Sequence, residues 1–243
     1  MIIFILSWLG QLIIYFSFGS SLKMRGKLPL PLKIMRLHII LASILQASIS
    51  IFYFLHIKHG WLFYLYIIEE FVLDMLFYRE LIKKTYSFKD KVEKRNIFLV
   101  AIGLFIVFAI VNVFITSIDT FPKYIFIVQC IVMIICTSWY NYTRSFYEPT
   151  PIVHSELSAF KLYKGPVFWM NTGKLIYFAS SLFIFLPYDI VFKPTQQHTD
   201  VLVWSMQNIL VIVLHIFMGI GFLKYKSNPT DVADMEQKLN KQL

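Results

Sequence analysis

Long runs of apolar residues, separated by short blocks that hold most of the charges, make up almost the whole 243-residue chain. A helix needs about 20 mostly apolar residues to cross a bilayer. Seven stretches fit this requirement: 1–20, 37–57, 61–78, 97–117, 122–142, 166–187 and 201–223. The pattern predicts an all-α, polytopic membrane protein built as a bundle of seven transmembrane helices.

The composition favours the same class of protein. Hydrophobic residues make up 58% of the chain, charged residues 15%, and the mean hydropathy is +0.65. An ordinary soluble domain is roughly 25% charged, because polar residues must cover its surface. We therefore exclude a water-soluble domain and expect a multi-pass membrane protein.

Lysines and arginines are concentrated in alternate loops. Nineteen of the 23 fall in the segments 21–36, 79–96, 143–165 and 224–243. Basic loops face the cytoplasm, so the N-terminus is predicted outside and the C-terminus inside. Residues 1–223 then form the seven-helix domain, and residues 224–243 form a short cytoplasmic tail. The net charge of +9 is explained by these loops, and no nucleic-acid partner is expected.

The stretch YLYIIEEFVLDMLFYRE (residues 64–80) covers most of the third predicted helix, 61–78, and three acidic residues lie inside that helix: Glu69, Glu70 and Asp74. Glu70 and Asp74 are four residues apart and share a face, whereas Glu69 lies about 100° away around the helix. An aspartate at the centre of a membrane helix costs about 2.5–3.5 kcal/mol on insertion scales. We expect these acids to face the bundle interior, to be partly protonated, or to have partners.

Polar residues on the sixth and seventh predicted helices lie at a comparable depth. Lys174 is about eight residues from the cytoplasmic start of the sixth helix, roughly 12 Å deep at 1.5 Å per residue. His215 lies at similar depth in the seventh helix, on one stripe with Asn208. A pair between Lys174 and either Glu70 or Asp74 is geometrically allowed.

The candidate ligand- or proton-binding residues are therefore Glu69, Glu70, Asp74, Lys174, Asn208 and His215. Two interpretations stay open, because buried ion pairs can serve packing alone or can serve function. His215 is likewise either a satisfied buried imidazole or a switch that titrates near neutral pH. The remaining polar groups inside the helices are interpreted singly as packing residues: Gln46, Asn112, Gln129 and Asn171.

Motifs for known chemistry are missing from the sequence. No Walker or GxGxxG loop and no HExxH motif occurs, so nucleotide binding and zinc catalysis have no support. The Glu69-Glu70 pair is like that of intramembrane CAAX-type proteases, but the arginine that follows in their pattern is Asp74 here. An intramembrane enzyme ranks last among the hypotheses, and no cofactor or metal is expected.

The segment PVFWMNTGKLIYFASSLFIF, residues 166–185, resembles the sixth helix of a seven-helix membrane module in its FW pair, in Asn171 and in its LIYF run. That module occurs ahead of histidine kinase domains in some bacterial sensors. The resemblance implies seven helices, an outside N-terminus, a sensing role and a location in the inner (cytoplasmic) membrane of a bacterial cell. No phosphorylatable-histidine helix or ATP-binding domain follows residue 223, so the resemblance implies a sensing part that signals to a separate partner.

Two functions from different classes follow. The first is a receptor-like membrane sensor or signalling-accessory protein without its own kinase domain, which responds to a small-molecule ligand or a proton. Its partner would be a separate cytoplasmic transmitter or kinase, contacted through the tail 224–243. The alternative is a small proton- or ion-coupled membrane transporter, in which Glu70 and Asp74 would bind the coupled ion.

Overall fold

The structure is a computed structural model that describes residues 2–22, 28–83, 88–116, 118, 121–147, 165–187 and 196–227. Seven helices are found in these ranges, each overlapping one predicted stretch. They are α1 (Ile2–Leu22), α2 (Leu30–Phe54), α3 (Gly60–Lys83), α4 (Phe88–Ile115), α5 (Lys123–Tyr147), α6 (Pro166–Phe185) and α7 (Gln196–Ser227). The all-α prediction is confirmed. Helix α7 continues four residues beyond the predicted end of the domain, and the rest of the predicted tail lies outside the described residues.

Helices that follow one another in the chain pack side by side, and the last helix returns to the first. Each of α1 to α6 contacts the next helix, and α7 contacts α1, which closes the bundle. Helix α3 also contacts α5 directly, so it has α2, α4 and α5 as neighbours. This arrangement places α3 where its side chains can reach several helices.

The surface of the bundle is apolar, and polar groups are buried inside. Phe114, Phe183 and Ile115 are each more than three-quarters exposed, whereas Glu70 and Lys174 are at most 1% exposed. A soluble protein has the opposite distribution, because water solvates charges and disfavours large apolar patches. The distribution is the one expected of helices surrounded by lipid.

Within the described ranges, four helices are long and apolar enough to cross a membrane, judged by length and composition. The segments are Leu30–Phe52, Asn96–Ile115, Lys123–Tyr142 and Ser205–Tyr225. In α1 the apolar segment among the described side chains, Leu12–Leu22, is shorter than a span. Helix α3 carries the three acids. The structure therefore supports a helical, membrane-embedded protein.

Glycines allow α6 and α7 to approach closely. A Cβ atom on Gly221 of α7 would lie 2.8 Å from the carbonyl oxygen of Pro166 and 2.7 Å from Cγ of Met170. On α6, a Cβ atom on Gly173 would lie 2.5 Å from Cβ of Phe217. Small residues at such crossings let two backbones come together, which is how membrane helices gain packing contacts.

Candidate functional site

Each of the three acids in the middle of α3 has its contact on a different helix, whereas Glu80 near the end of α3 pairs with Arg79 of the same helix. Glu69 contacts His38 of α2, Glu70 contacts Gln129 of α5, and Asp74 contacts Lys174 of α6. The acids can diverge in this way because successive residues on a helix point about 100° apart, and because α3 lies between these neighbours. Helix α3 is thus the element that connects the polar core.

The ion pair of Asp74 with Lys174 is completely enclosed. Both side chains are 1% exposed, and the Lys174 ammonium donates to Oδ1 of Asp74. The ammonium also lies 4.8 Å from the centre of the Phe77 ring and 5.6 Å from that of Tyr78, within the range of cation–π attraction. Removing one partner of such a buried pair typically costs about 3–5 kcal/mol, since the other charge is left uncompensated.

The contact between Glu69 and His38 lies nearer the surface. Nδ1 of His38 is 3.0 Å from Oε1 of Glu69, and the Glu69 side chain is 12% exposed. The second oxygen of Glu69 is buried and has no hydrogen-bond partner among the described residues. His38, which the sequence did not include among the candidates, therefore faces the same acidic region of α3.

Among Glu69, Glu70 and Asp74, Glu70 is the acid whose contact is an amide, which has no titratable proton. Nε2 of Gln129 donates a 2.7 Å hydrogen bond to Oε2 of Glu70, and both side chains are fully buried. Oε1 of Glu70 and Oε1 of Gln129 are both without a hydrogen-bond partner within the described ranges. Two buried acceptor oxygens are therefore left unsatisfied on one pair of side chains.

Helix α6 presents a polar stripe to its neighbours. Asn171, Lys174, Tyr177 and Ser181 fall at helical spacing and all are buried. The Tyr78 hydroxyl donates to Oδ1 of Asn171, and Nδ2 of Asn171 donates to Oδ1 of Asn141 at 2.7 Å. The stripe thus continues the contact of α6 with α3 and α5 beyond the ion pair.

The other half of the stripe connects α6 to α7. Nε2 of Gln207 donates to the Tyr177 hydroxyl at 3.0 Å, and the Ser181 hydroxyl donates to Oε1 of Gln207 at 3.0 Å. The amide of Gln207 is therefore satisfied at both ends. Helix α6 thus contacts α3 through the ion pair and α7 through Gln207.

His215 faces α1 rather than the acids. Its Nδ1 lies 3.1 Å from the Ser17 hydroxyl, which itself donates to the Ile14 carbonyl at 2.8 Å. Because that hydroxyl has one hydrogen, Nδ1 of His215 is then the donor. Nε2 of His215 is buried without a partner in the part of the chain that the structure describes.

The six candidate residues thus divide into three groups. Glu69, Glu70, Asp74 and Lys174 lie together around α3. His215 forms a separate contact with Ser17. Asn208 is half-buried, and the hydrogen bonds of α7 to α6 come from its neighbour Gln207.

Residues that sequence reasoning left outside the candidate set complete the core. They are Ser17, His38, Tyr78, Gln129, Asn141, Asn171, Tyr177, Ser181 and Gln207. Their signal in the sequence is a lone polar group in an apolar helix, which does not identify its partner. Among the described residues, no three or more His, Cys, Asp or Glu side chains are grouped so as to hold a metal ion.

Comparisons with protein-family models, with curated proteins and with solved structures give no match for this chain. Its function must therefore be inferred from its own residues.

Proposed function

We propose that this protein is a receptor-like sensor of the inner (cytoplasmic) membrane, which passes its state to a separate cytoplasmic transmitter or kinase. In this proposal all seven helices span the membrane, the N-terminus is outside and the C-terminus is cytoplasmic. The uneven distribution of lysine and arginine supports the orientation. The resemblance of residues 166–185 to the sixth helix of bacterial seven-helix sensor modules supports the signalling role.

The proposal rests on the buried ion pair of Asp74 with Lys174. The same helix that carries Lys174, α6, also forms hydrogen bonds with α7. Lys174 ties α6 to α3, and Gln207 ties α7 to α6. A buried pair is either formed or broken, with a difference of several kcal/mol between the two states. It therefore has the property that a switch requires, namely two discrete arrangements rather than a gradual deformation.

A ligand acts on such an element only through different affinities for its two states. In the proposal, a small molecule or a proton enters the polar core from outside and alters the charge around α3. The inner ends of α6 and α7 then move relative to α2 and α3. Residues 224–243 follow α7 directly and present this movement to the cytoplasmic partner.

The test is capture of the partner from native membranes. The full chain is crosslinked mildly, purified, and its partners are identified by mass spectrometry, with a chain truncated after Ser227 as the matched control. The proposal predicts a histidine kinase, response regulator or other transmitter that is captured by the full chain and lost on truncation. Purification without any such partner would contradict it.

A second function, a proton- or ion-coupled transporter, is favoured by one observation. Glu70 is fully buried and has a neutral amide as its contact, so it is suited to binding a coupled ion. Transport predicts flux of protons or ions in liposomes that hold the purified protein, and loss of this flux with Glu70→Gln. A sensor predicts no such flux, so the same liposomes distinguish the two functions.

A further inference from the structure

The charges of the polar core can be counted pair by pair. Asp74 and Lys174 cancel each other. Glu69 and His38 also sum to zero, whether the proton lies on the imidazole and leaves a carboxylate or lies on the carboxyl and leaves a neutral ring. These two pairs therefore contribute no net charge to the buried core.

Glu70 is the acid left over in this count. Its hydrogen-bond partner, Gln129, is neutral, so an ionised Glu70 would leave one uncompensated negative charge at a position with no exposure to solvent. Burying an unpaired ion is strongly unfavourable, and a buried carboxyl group in that situation takes up a proton. Charge balance thus calls for one positive charge at Glu70.

Hydrogen-bond acceptors without a donor also indicate a proton at Glu70. Oε2 of Glu70 already accepts from Nε2 of Gln129, while the Oε1 atoms of both residues have no partner within the described ranges. A proton on Oε1 of Glu70 supplies a donor to Oε1 of Gln129. Acid and amide then form a ring of two hydrogen bonds, in which one proton satisfies both orphaned oxygens.

We infer that Glu70 and Gln129 form a proton-binding site in which the neutral carboxyl group of Glu70 and the amide of Gln129 are joined by two hydrogen bonds. Proton uptake forms the O–H bond at Oε1, and the proton comes from solvent. The inference rests on the proposed function, because it names the proton as the ligand that the sensor detects. Loss of the proton would place a bare negative charge between α3 and α5.

Titratable groups on several helices surround Glu70. Those that act on it electrostatically are His38 of α2, Tyr66, Glu69 and Asp74 of α3, Cys130 of α5 and Tyr177 of α6. Helix α4 has no titratable side chain between Asn96 and Ile115. Among these groups His38 is the one that can carry positive charge, and it already contacts Glu69.

The experiment is infrared spectroscopy of the purified full chain in nanodiscs, which detects the C=O stretch of a protonated carboxyl group. At neutral pH the wild-type protein is expected to show this band, and raising the pH is expected to remove it. Glu70→Gln should remove the part of this band that belongs to Glu70 and leave the fold intact, because a glutamine supplies the N–H donor that the ring requires. Glu69→Gln, the same change one residue away, is the matched control and should retain the part of the band that Glu70→Gln removes.

A further variant tests the ring itself. Gln129→Leu removes the amide, so the band of Glu70 should shift in frequency, as expected when a carboxyl group loses its hydrogen bonds. An unshifted band in Gln129→Leu would contradict the ring. A wild-type spectrum without a protonated-carboxyl band at neutral pH, or a Glu70→Gln spectrum that loses no protonated-carboxyl intensity relative to the wild type, would overturn the proton site.

A monovalent cation is the alternative ligand of the Glu70–Gln129 site, and the same sample distinguishes it from a proton. Adding sodium or potassium ions at constant pH should leave the Glu70 band unchanged. Removal of the band by either ion would show that a cation takes the place of the proton, and it would overturn the inference.

The spectra are recorded on the isolated protein, so they do not depend on a transmitter. A protonated Glu70 with no captured transmitter would therefore contradict only the proposed function. A captured transmitter with an ionised Glu70 would contradict only the proton site.

Discussion

Lys174 and Asp74 show how single residues hold this bundle together. Each is enclosed among apolar side chains, and each charge is tolerated because the other is in contact with it. Glu70 differs from Asp74 in that its contact is an amide, although the two acids share one face of α3. Residues of the same type and depth thus have different roles, which are set by the helix that each one meets.

Removing the charge of Lys174 tests the ion pair. Lys174→Met is expected to lower the free energy of unfolding by about 3–5 kcal/mol, because Asp74 is left buried and unpaired. Adding Asp74→Asn should restore most of this loss, whereas adding Glu70→Gln should not. Unfolding titrations in mixed micelles measure all three variants. Equal effects of the two second substitutions would contradict the pairing.

The contact of His215 with Ser17 has its own test, with a control on the same helix. Ser17→Ala removes the acceptor of the buried imidazole and is expected to cost about 1–3 kcal/mol. The Ser20 hydroxyl, by contrast, donates to the Phe16 carbonyl within α1. Ser20→Ala should therefore change stability less than Ser17→Ala, because a serine bond to the i−4 carbonyl of its own helix adds little stability. Thermal denaturation in detergent compares them, and similar losses would show that the contact with His215 contributes nothing.

Among the helices, sequence reasoning predicted what depends on one helix and left open what depends on two. The spacing of the acids along α3 and the depth of Lys174 follow from the 3.6-residue repeat and a fixed rise per residue. The partner of each acid depends on which helices are neighbours. Asp74 and Glu70 lie at nearly equal depth, so depth alone leaves the partner of Lys174 open.

Rotation about a helix axis explains the differences on α7. Asn208 and Gln207 are neighbours in sequence, and a change of one residue turns a side chain by about 100°. Because α7 packs on both α6 and α1, Gln207 meets α6 and His215 meets α1. The sequence marks these residues as polar groups in an apolar helix, but it does not give the orientation of that helix.

Close contact between α6 and α7 also makes a prediction. Gly221→Ala is expected to destabilise the protein by about 1–3 kcal/mol, since the new methyl group would meet the Pro166 carbonyl oxygen and Met170. A Cβ atom added to Gly103 of α4 would meet nothing within 4 Å, so Gly103→Ala should be neutral or stabilising by up to about 1 kcal/mol. Unfolding in detergent compares the two, and equal responses would contradict close packing at Gly221.

The whole molecule is an apolar bundle with a charged interior, and this much follows from composition and periodicity. All seven predicted stretches are helical, and four helices meet the length and composition of a span. The acids in the middle of α3 contact three other helices, and they also make this helix less apolar. The residues that make α3 harder to recognise as a transmembrane helix are therefore the ones that contact the other helices of the core.

In the proposed mechanism, the buried pair of Asp74 with Lys174 couples α3 to the inner ends of α6 and α7. This coupling is tested by the distance between spin labels at Lys33 of α2 and Leu223 of α7, both exposed, in a chain whose two cysteines are replaced. Pulsed electron paramagnetic resonance compares the parent chain with the Lys174→Met, Asp74→Asn double variant. A second distance is expected to become populated when the pair is removed. An unchanged single distance would show that the pair does not couple these helices.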